Sequence, residues 1–164
     1  YANGFGLPLD LTKYFTSATL IAMLVGYVAG IILIPRFVKQ EKYLIFSALL
    51  GVLLTIGAFL TKGYVSVGFV AALGFANAMM WPAIFPLGVR GLGKLTELGG
   101  ALLVMGIAGF GVVPQLFAHL KETYNFQLVF LCLMVPCYAY ILFFGLFAGR
   151  KIKSSVAVPM PADI

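Results

Sequence analysis

The sequence predicts an all-α, polytopic membrane protein with five transmembrane helices. Three observations carry that expectation. Apolar residues make up 62% of the 164 and charged residues 10%, and the mean hydropathy is +1.07. A water-soluble domain carries about 25% charged residues to face its solvent, so lipid must solvate most of this chain. Five apolar runs of about 19 to 24 residues, each free of Asp, Glu, Lys and Arg, follow one another, and about 20 helical residues cross a hydrocarbon core. The basic residues gather in alternate connections between them. Only helices and closed barrels satisfy their backbone in lipid, and no run shows the period of two that a barrel needs.

Taken in order, residues 1–13 carry Gly4, Gly6 and Pro8 and read as an outer loop after the end of a truncated helix. The spans are residues 14–34, 43–61, 64–87, 98–120 and 126–149, and residues 150–164 read as a cytoplasmic tail, disordered from Ser154 onward. Lys62-Gly63 is a tight turn, and the connection after the third span is relieved by Gly88, Gly91 and Gly93. Eight of the eleven basic residues fall on one side: Arg36, Lys39, Lys42, Arg90, Lys94, Arg150, Lys151 and Lys153. The other side holds Lys13, Lys62 and Lys121. Short loops rich in Lys and Arg face the cytoplasm, so the chain reads as multi-pass in a cell (inner) membrane with its C-terminus inside. Tyr14, Tyr43, Tyr64 and Tyr124 sit at span edges, where amphipathic rings are at home. The net charge of +6 therefore belongs to loops, and no nucleic-acid partner is expected. Cys132 and Cys137, five apart on one span, read as ordinary buried thiols.

The spans contain no carboxylate. A proton relay, an acid–base pair or a metal cluster inside the membrane has no residues to build it, so the chain reads as no enzyme, with no cofactor and no metal. His119, at the end of the fourth span, reads as an interfacial histidine. Glycine is abundant, 19 residues. Gly26-x-x-x-Gly30 and Gly145-x-x-x-Gly149 have the spacing that lets helix backbones approach closely. The fourth span holds Gly99, Gly100, Gly106, Gly109 and Gly111 ahead of Pro114. Close packing and a helix that bends during a conformational cycle are both open readings of it.

The third span carries Asn77, Trp81 and Pro82. A mid-span amide needs a partner. A spacing of four puts Asn77 and Trp81 on one helix face, where an amide beside an indole suits a sugar. The alternative is an Asn bonded to a neighbouring helix and a Trp filling space. Pro82 should kink the helix near Ala78. Gln115 in the fourth span and Tyr27 in the first are the next candidates for substrate contact, while Tyr138 and Tyr140 are further hydroxyls that need partners.

Phe75-Ala-Asn77-Ala-Met-Met-Trp81-Pro82-Ala-Ile-Phe85-Pro-Leu87-Gly-Val-Arg90-Gly-Leu92-Gly93 resembles the tenth helix and following loop of the fucose–galactose–glucose:proton symporters of the major facilitator superfamily. The motif there reads approximately Phe-Asn-Ser-Ile-Met-Phe-Pro-Thr-Ile-Phe-Ser-Leu, then a basic residue and Leu-Gly. Here an alanine separates Phe75 from Asn77, and Trp81, Ala83 and Pro86 replace Phe, Thr and Ser. The block from Gly99 to Pro114 is similar to the family's eleventh helix, and Gly26-Tyr-Val-Ala-Gly30 ahead of Pro35-Arg36-Phe37 to its eighth.

The resemblance implies helices 8–12 of a major facilitator fold, the C-terminal half of a monosaccharide:proton symporter working by alternating access. Its partners would be a sugar of the fucose, galactose or glucose class, the proton as coupling ion, the lipid bilayer and a missing N-terminal half that holds the coupling carboxylates. Asn77, Trp81, Gln115 and Tyr27 would line the cavity, and Pro82, Gly106, Gly109, Gly111 and Pro114 would give the helices flexibility. The rivals are a major facilitator carrying another solute and a membrane scaffold subunit that transports nothing.

Overall fold

The structure, a computed structural model, describes residues 1–78 and 80–156. The described residues are helical, with no strand: α1 (Leu9–Arg36), α2 (Gln40–Leu60), α3 (Gly63–Asn77), α4 (Met80–Val89), α5 (Thr96–Met105), α6 (Gly109–Thr123) and α7 (Phe126–Val156). Short 3-10 segments lie at Ala2–Phe5, Gly93–Leu95 and Gly106–Ala108. α3 with α4, and α5 with α6, each form one interrupted helix. The candidate membrane spans are therefore five: Thr12–Ile34, Gln40–Leu60, Gly63–Val89, Gly93–Thr123 and Phe126–Gly149. The expected fold class is the observed one.

Two stretches read as irregular join helices instead. Pro8 stands at the N-cap of α1 with φ −56° and ψ 140°, and Asp10 lies in the first turn. A carboxylate is favoured at the positive end of a helix, so the helix begins at Leu9, inside the segment assigned to an outer loop. α7 likewise runs on to Val156, since a basic sequence suits a helix C-terminus. The rest of the expected tail, residues 157–164, lies outside the described residues.

α2 is the hub. Its buried Leu44, Ala48, Gly51, Thr55 and Ala58 recur at alternate steps of four and three, which draws one stripe along the helix. Most of these side chains are small, so neighbouring backbones approach closely, as helices must in lipid, where no hydrophobic force draws them together. Gly51 makes room for the Tyr138 ring of α7; a Cβ there would fall 2.5 Å from its Cε1. Gly145 of α7 clears Ile45 of α2 in the same way, 3.0 Å from Cγ1. α1 packs on α3 through Gly26, whose added Cβ would lie 2.8 Å from the Phe75 carbonyl oxygen. Gly26 and Gly30 are both buried, as their spacing suggests. The core joins Leu44 and Ala48 to Leu73, Met80, Ala83, Leu87 and Tyr138.

Cys132 and Cys137 are free but exposed, a correction to the buried thiols expected. The buried residues of α7 include Gln127, Val129, Tyr138 and Gly145, and the cysteines lie off that face. A thiol is apolar enough to meet lipid.

At the α2–α3 turn, the last carbonyls of α2 have no partners within the helix. The α7 residue Gln127 supplies them. Its Nε2 donates to the Ala58 and Thr61 carbonyls at 3.0 and 2.8 Å. Ser66 Oγ donates to the Ala58 carbonyl, and the Tyr1 hydroxyl sits 2.8 Å from Ser66 Oγ. Asn125 Oδ1 accepts from the Gln127 backbone N–H at 2.9 Å and so caps α7. Around this knot the Tyr1 ring packs against Phe126 and Phe130, with centroids 5.3 and 4.8 Å away. Gln127→Leu should leave the Thr61 carbonyl without a donor and lower stability by about 1–3 kcal/mol. Thermal unfolding of the detergent-purified protein measures it; an unchanged midpoint would show that water replaces the amide.

Candidate functional site

The third span is interrupted at its middle. α3 ends at Asn77 and α4 begins at Met80. Pro82 has no N–H to offer the Ala78 carbonyl, and its ring crowds that turn; Ala78 itself keeps helical angles, φ −48° and ψ −52°. Asn77 and Trp81, expected on one face, stand on either side of this interruption. Both side chains are exposed, Trp81 by 41%, and no hydrogen bond or ring contact links them among the described residues. The indole instead lies 6.1 Å from the Phe85 ring, tilted at 51°.

Asn77 is held from α7. The Tyr138 hydroxyl, buried at 3% exposure, donates to Asn77 Oδ1 at 2.9 Å. The bond to a neighbouring helix thus accounts for the amide oxygen. The amide nitrogen has no partner among the described residues. An unpaired amide facing hydrocarbon costs several kcal/mol, so this face of the break is built to meet water, a ligand or other protein.

Tyr27 follows Gly26, whose contacts with Phe75 and Ala78 place this turn of α1 beside the break. Tyr27 is half-buried, and its hydroxyl makes no hydrogen bond among the described residues. Gln115 lies on α6, which packs against α7; it is exposed, and no hydrogen bond joins it to Asn77, Trp81 or Tyr27. The structure brings Asn77 and the α1 turn of Tyr27 together and leaves Gln115 apart from them. His119 is exposed near the end of α6, and Tyr140 on α7 is exposed as well. Two residues that hold the site were missed. Tyr138 was read only as a hydroxyl needing a partner, and Gly51 drew no notice although its place in the α2 stripe of small residues was a usable signal.

The fourth span divides the glycines between the two open readings. Gly100 meets Phe85 at 3.5 Å and Gly99 meets Leu92, so these two pack α5 against α4 and its following turn. On α4, Gly88 admits Leu103 of α5. A Cβ added at Gly106, Gly109 or Gly111 would meet nothing within 4 Å. Contact within this chain therefore does not explain them, and the helix narrows to a 3-10 turn at Gly106–Ala108. Beyond it α6 packs on α7, with the Phe117 and Phe130 rings 6.2 Å apart. α4 and α5 form a hairpin bounded by two interruptions. Its connection uses Gly91 and Gly93 at φ +80° and +52°, backbone that residues with a Cβ rarely adopt.

The chain is similar to known proteins. The chain is 31% identical over 138 residues to the glucose/galactose transporter of Brucella abortus biovar 1 (strain 9-941), covering 84% of this chain and 32% of that protein. It is 32% identical over 136 residues to the putative glucose/galactose transporter of Helicobacter pylori strain J99, covering 80% and 33%. Against the L-fucose-proton symporter of Escherichia coli strain K12 the identity is 26% over 148 residues, covering 88% and 33%. No protein-family model matches the chain. The crystal structure of FucP, a Major Facilitator Superfamily transporter in the outward conformation, matches with a TM-score of 0.81 and 25% identity over 87% of this chain and 34% of that one. The chain has the major facilitator fold. It spans about a third of the length of the curated relatives it matches. In this major facilitator bundle the two interrupted spans lie next to each other, joined through the α4–α5 hairpin, while α1, α2 and α7 run uninterrupted.

Proposed function

We propose that the chain forms helices 8–12 of a monosaccharide:proton symporter that works by alternating access, with the C-terminus of the chain on the cytoplasmic side of a cell membrane. The observation that carries this reading is the mid-span break, with an unpaired amide nitrogen on one flank and an exposed indole on the other. Secondary transporters bind substrate near the bilayer midplane at interrupted helices. A sugar offers acceptor oxygens to the amide and an apolar C–H face to the indole. The names of the relatives, two glucose/galactose transporters and a fucose-proton symporter, support the substrate class and the coupling ion. The carboxylates of the spans, Glu41, Glu97 and Glu122, lie only near their ends, so proton coupling falls to an N-terminal half that would also close the cavity over Asn77, Trp81 and Tyr27. Gln115 is a more distant contributor. The α4–α5 hairpin, bounded by Pro82 on one side and by Gly106, Gly109, Gly111 and Pro114 on the other, is the moving part. The role is transport, with no catalysis and no cofactor.

Uptake of radiolabelled glucose, galactose and fucose into proteoliposomes holding the full-length gene product tests this. Asn77→Ala and Trp81→Ala should each lower uptake at least about tenfold, the effect of losing about 1.4 kcal/mol of substrate contact. His119→Ala should leave it unchanged. If both site variants transported normally, the site would be wrong; if the wild type carried none of the three sugars, the substrate class would be.

A further inference from the structure

We infer that Tyr138 fixes the polarity of Asn77, making that residue a pure hydrogen-bond donor aimed at an acceptor oxygen of the substrate. The inference rests on the transport reading above for the identity of the ligand, and on geometry for the rest.

An asparagine amide is ambivalent. Its oxygen accepts and its nitrogen donates, and rotation by half a turn exchanges them. Free in a cavity, it serves ligand donors and acceptors alike. Asn77 is not free. The Tyr138 phenol is buried, and Asn77 Oδ1, at 2.9 Å, is its acceptor. With the amide reversed, the phenol oxygen could accept from the nitrogen, but the buried O–H would have no acceptor among the described residues. An orphaned buried donor costs about 1–3 kcal/mol. That penalty holds the oxygen inward and the two N–H groups toward the exposed side of the break.

Three elements build the lock. Gly51 of α2 lies under the ring, where a Cβ would collide with Cε1, Cδ1 and Cζ at 2.5 to 2.8 Å. α7 passes α2 closely enough, at Gly145 over Ile45, to deliver the phenol through the core. Asn77 lies in the last turn of α3, where the Ala78 N–H still bonds the Gly74 carbonyl at 3.1 Å, so a regular backbone holds the clamped amide in place. The consequence is chemical selectivity. A site that only donates here accepts a hydroxyl, ring or carbonyl oxygen and discriminates against an ammonium group, which brings donors alone. A neutral polyhydroxylated ligand fits.

The test uses the full-length protein, purified and labelled with 15N-asparagine, and two readouts. The side-chain amide signal that vanishes in Asn77→Ala belongs to Asn77. It should shift in Tyr138→Phe, whether or not a sugar binds. The sugar Kd should rise about three- to tenfold in Tyr138→Phe, the range expected for one hydrogen bond. In an Asn77→Ala background the same change should alter Kd by less than about twofold, because coupled residues do not add. Equal weakening in both backgrounds, or an unmoved amide signal, would overturn the inference. Should Tyr138→Phe prove too unstable to purify, Asn77→Asp at neutral pH carries the test, since it keeps an acceptor for the phenol and removes both donors. Sugar affinity should then fall at least about tenfold with the melting temperature retained, and affinity within about twofold of wild type would overturn the inference. A wild type that binds no monosaccharide defeats the transport reading instead, and the amide signal still reports the lock.

Discussion

Gly74→Leu should force α1 away from α3 and lower the stability of the bundle by about 3 kcal/mol or more, at the top of the range for overpacked cores. Even the first atom of the new side chain has no room. A Cβ at Gly74 would run into the Thr19 carbonyl oxygen and lie 3.0 Å from Thr19 Cγ2 and 3.1 Å from Met23 Cγ. A flexible side chain can swing aside; a helix carbonyl cannot without moving its helix. Thr19 is itself held, its Oγ1 donating to the Phe15 carbonyl at 2.9 Å. On the other flank of the seam, Gly26 is pressed against Phe75 and Ala78, so a shift at Gly74 pries at both contacts. The damage reaches the candidate site, because α1 carries Tyr27 and α3 ends at Asn77. Gly68→Ala on the same helix is the control, since its Cβ would meet nothing within 4 Å. Thermal unfolding in detergent should show a large drop for Gly74→Leu and none for Gly68→Ala. Equal midpoints for the two would mean that the α1–α3 seam contributes little.

That seam also shows what could be read from sequence and what could not. Span number and length follow from hydropathy and charge placement, which act locally, so the five apolar runs were plain. Register between spans follows from which faces meet. In lipid the buried and exposed faces are equally apolar, so the periodic contrast that orients a helix in a soluble protein is missing. Gly26 could be flagged from its spacing to Gly30, but its partners Phe75 and Ala78 could not be named. The Tyr138–Asn77 bond joins residues 61 apart, and nothing local in either segment points to the other. Gln127 stands one residue inside the edge of the last span. It is buried because the orphan carbonyls of α2 come to it, a fact of packing. Pro82 announced a disturbance near Ala78, and helices α3 and α4 do part there.

The sharpest division concerns the fourth span, and it leads to a prediction with opposite signs. Changing Gly106, Gly109 and Gly111 together to alanine should stabilise the protein while slowing transport by as much as about a hundredfold. None of the three new methyl groups would meet an atom within 4 Å in this bundle, so packing gives no reason for the fold to suffer. Each Gly→Ala change favours regular helix by roughly 0.5–1 kcal/mol, and the three together by about 1.5–3 kcal/mol. The 3-10 turn at Gly106–Ala108 would be drawn toward continuous α-helix. If transport requires the α4–α5 hairpin to pivot there, that free energy is added to the cost of the motion, and each 1.4 kcal/mol slows a step about tenfold. The counterpart Gly99→Ala should change both little: its Cβ would meet the end of the exposed Leu92 side chain, which can swing aside, and it lies outside the 3-10 turn. Initial uptake rates in proteoliposomes, set beside melting temperatures, separate the cases. A triple variant that is stabilised and transports at the wild-type rate would mean that the span does not bend during the cycle. One that is destabilised would mean that another segment of the transporter packs against these glycines.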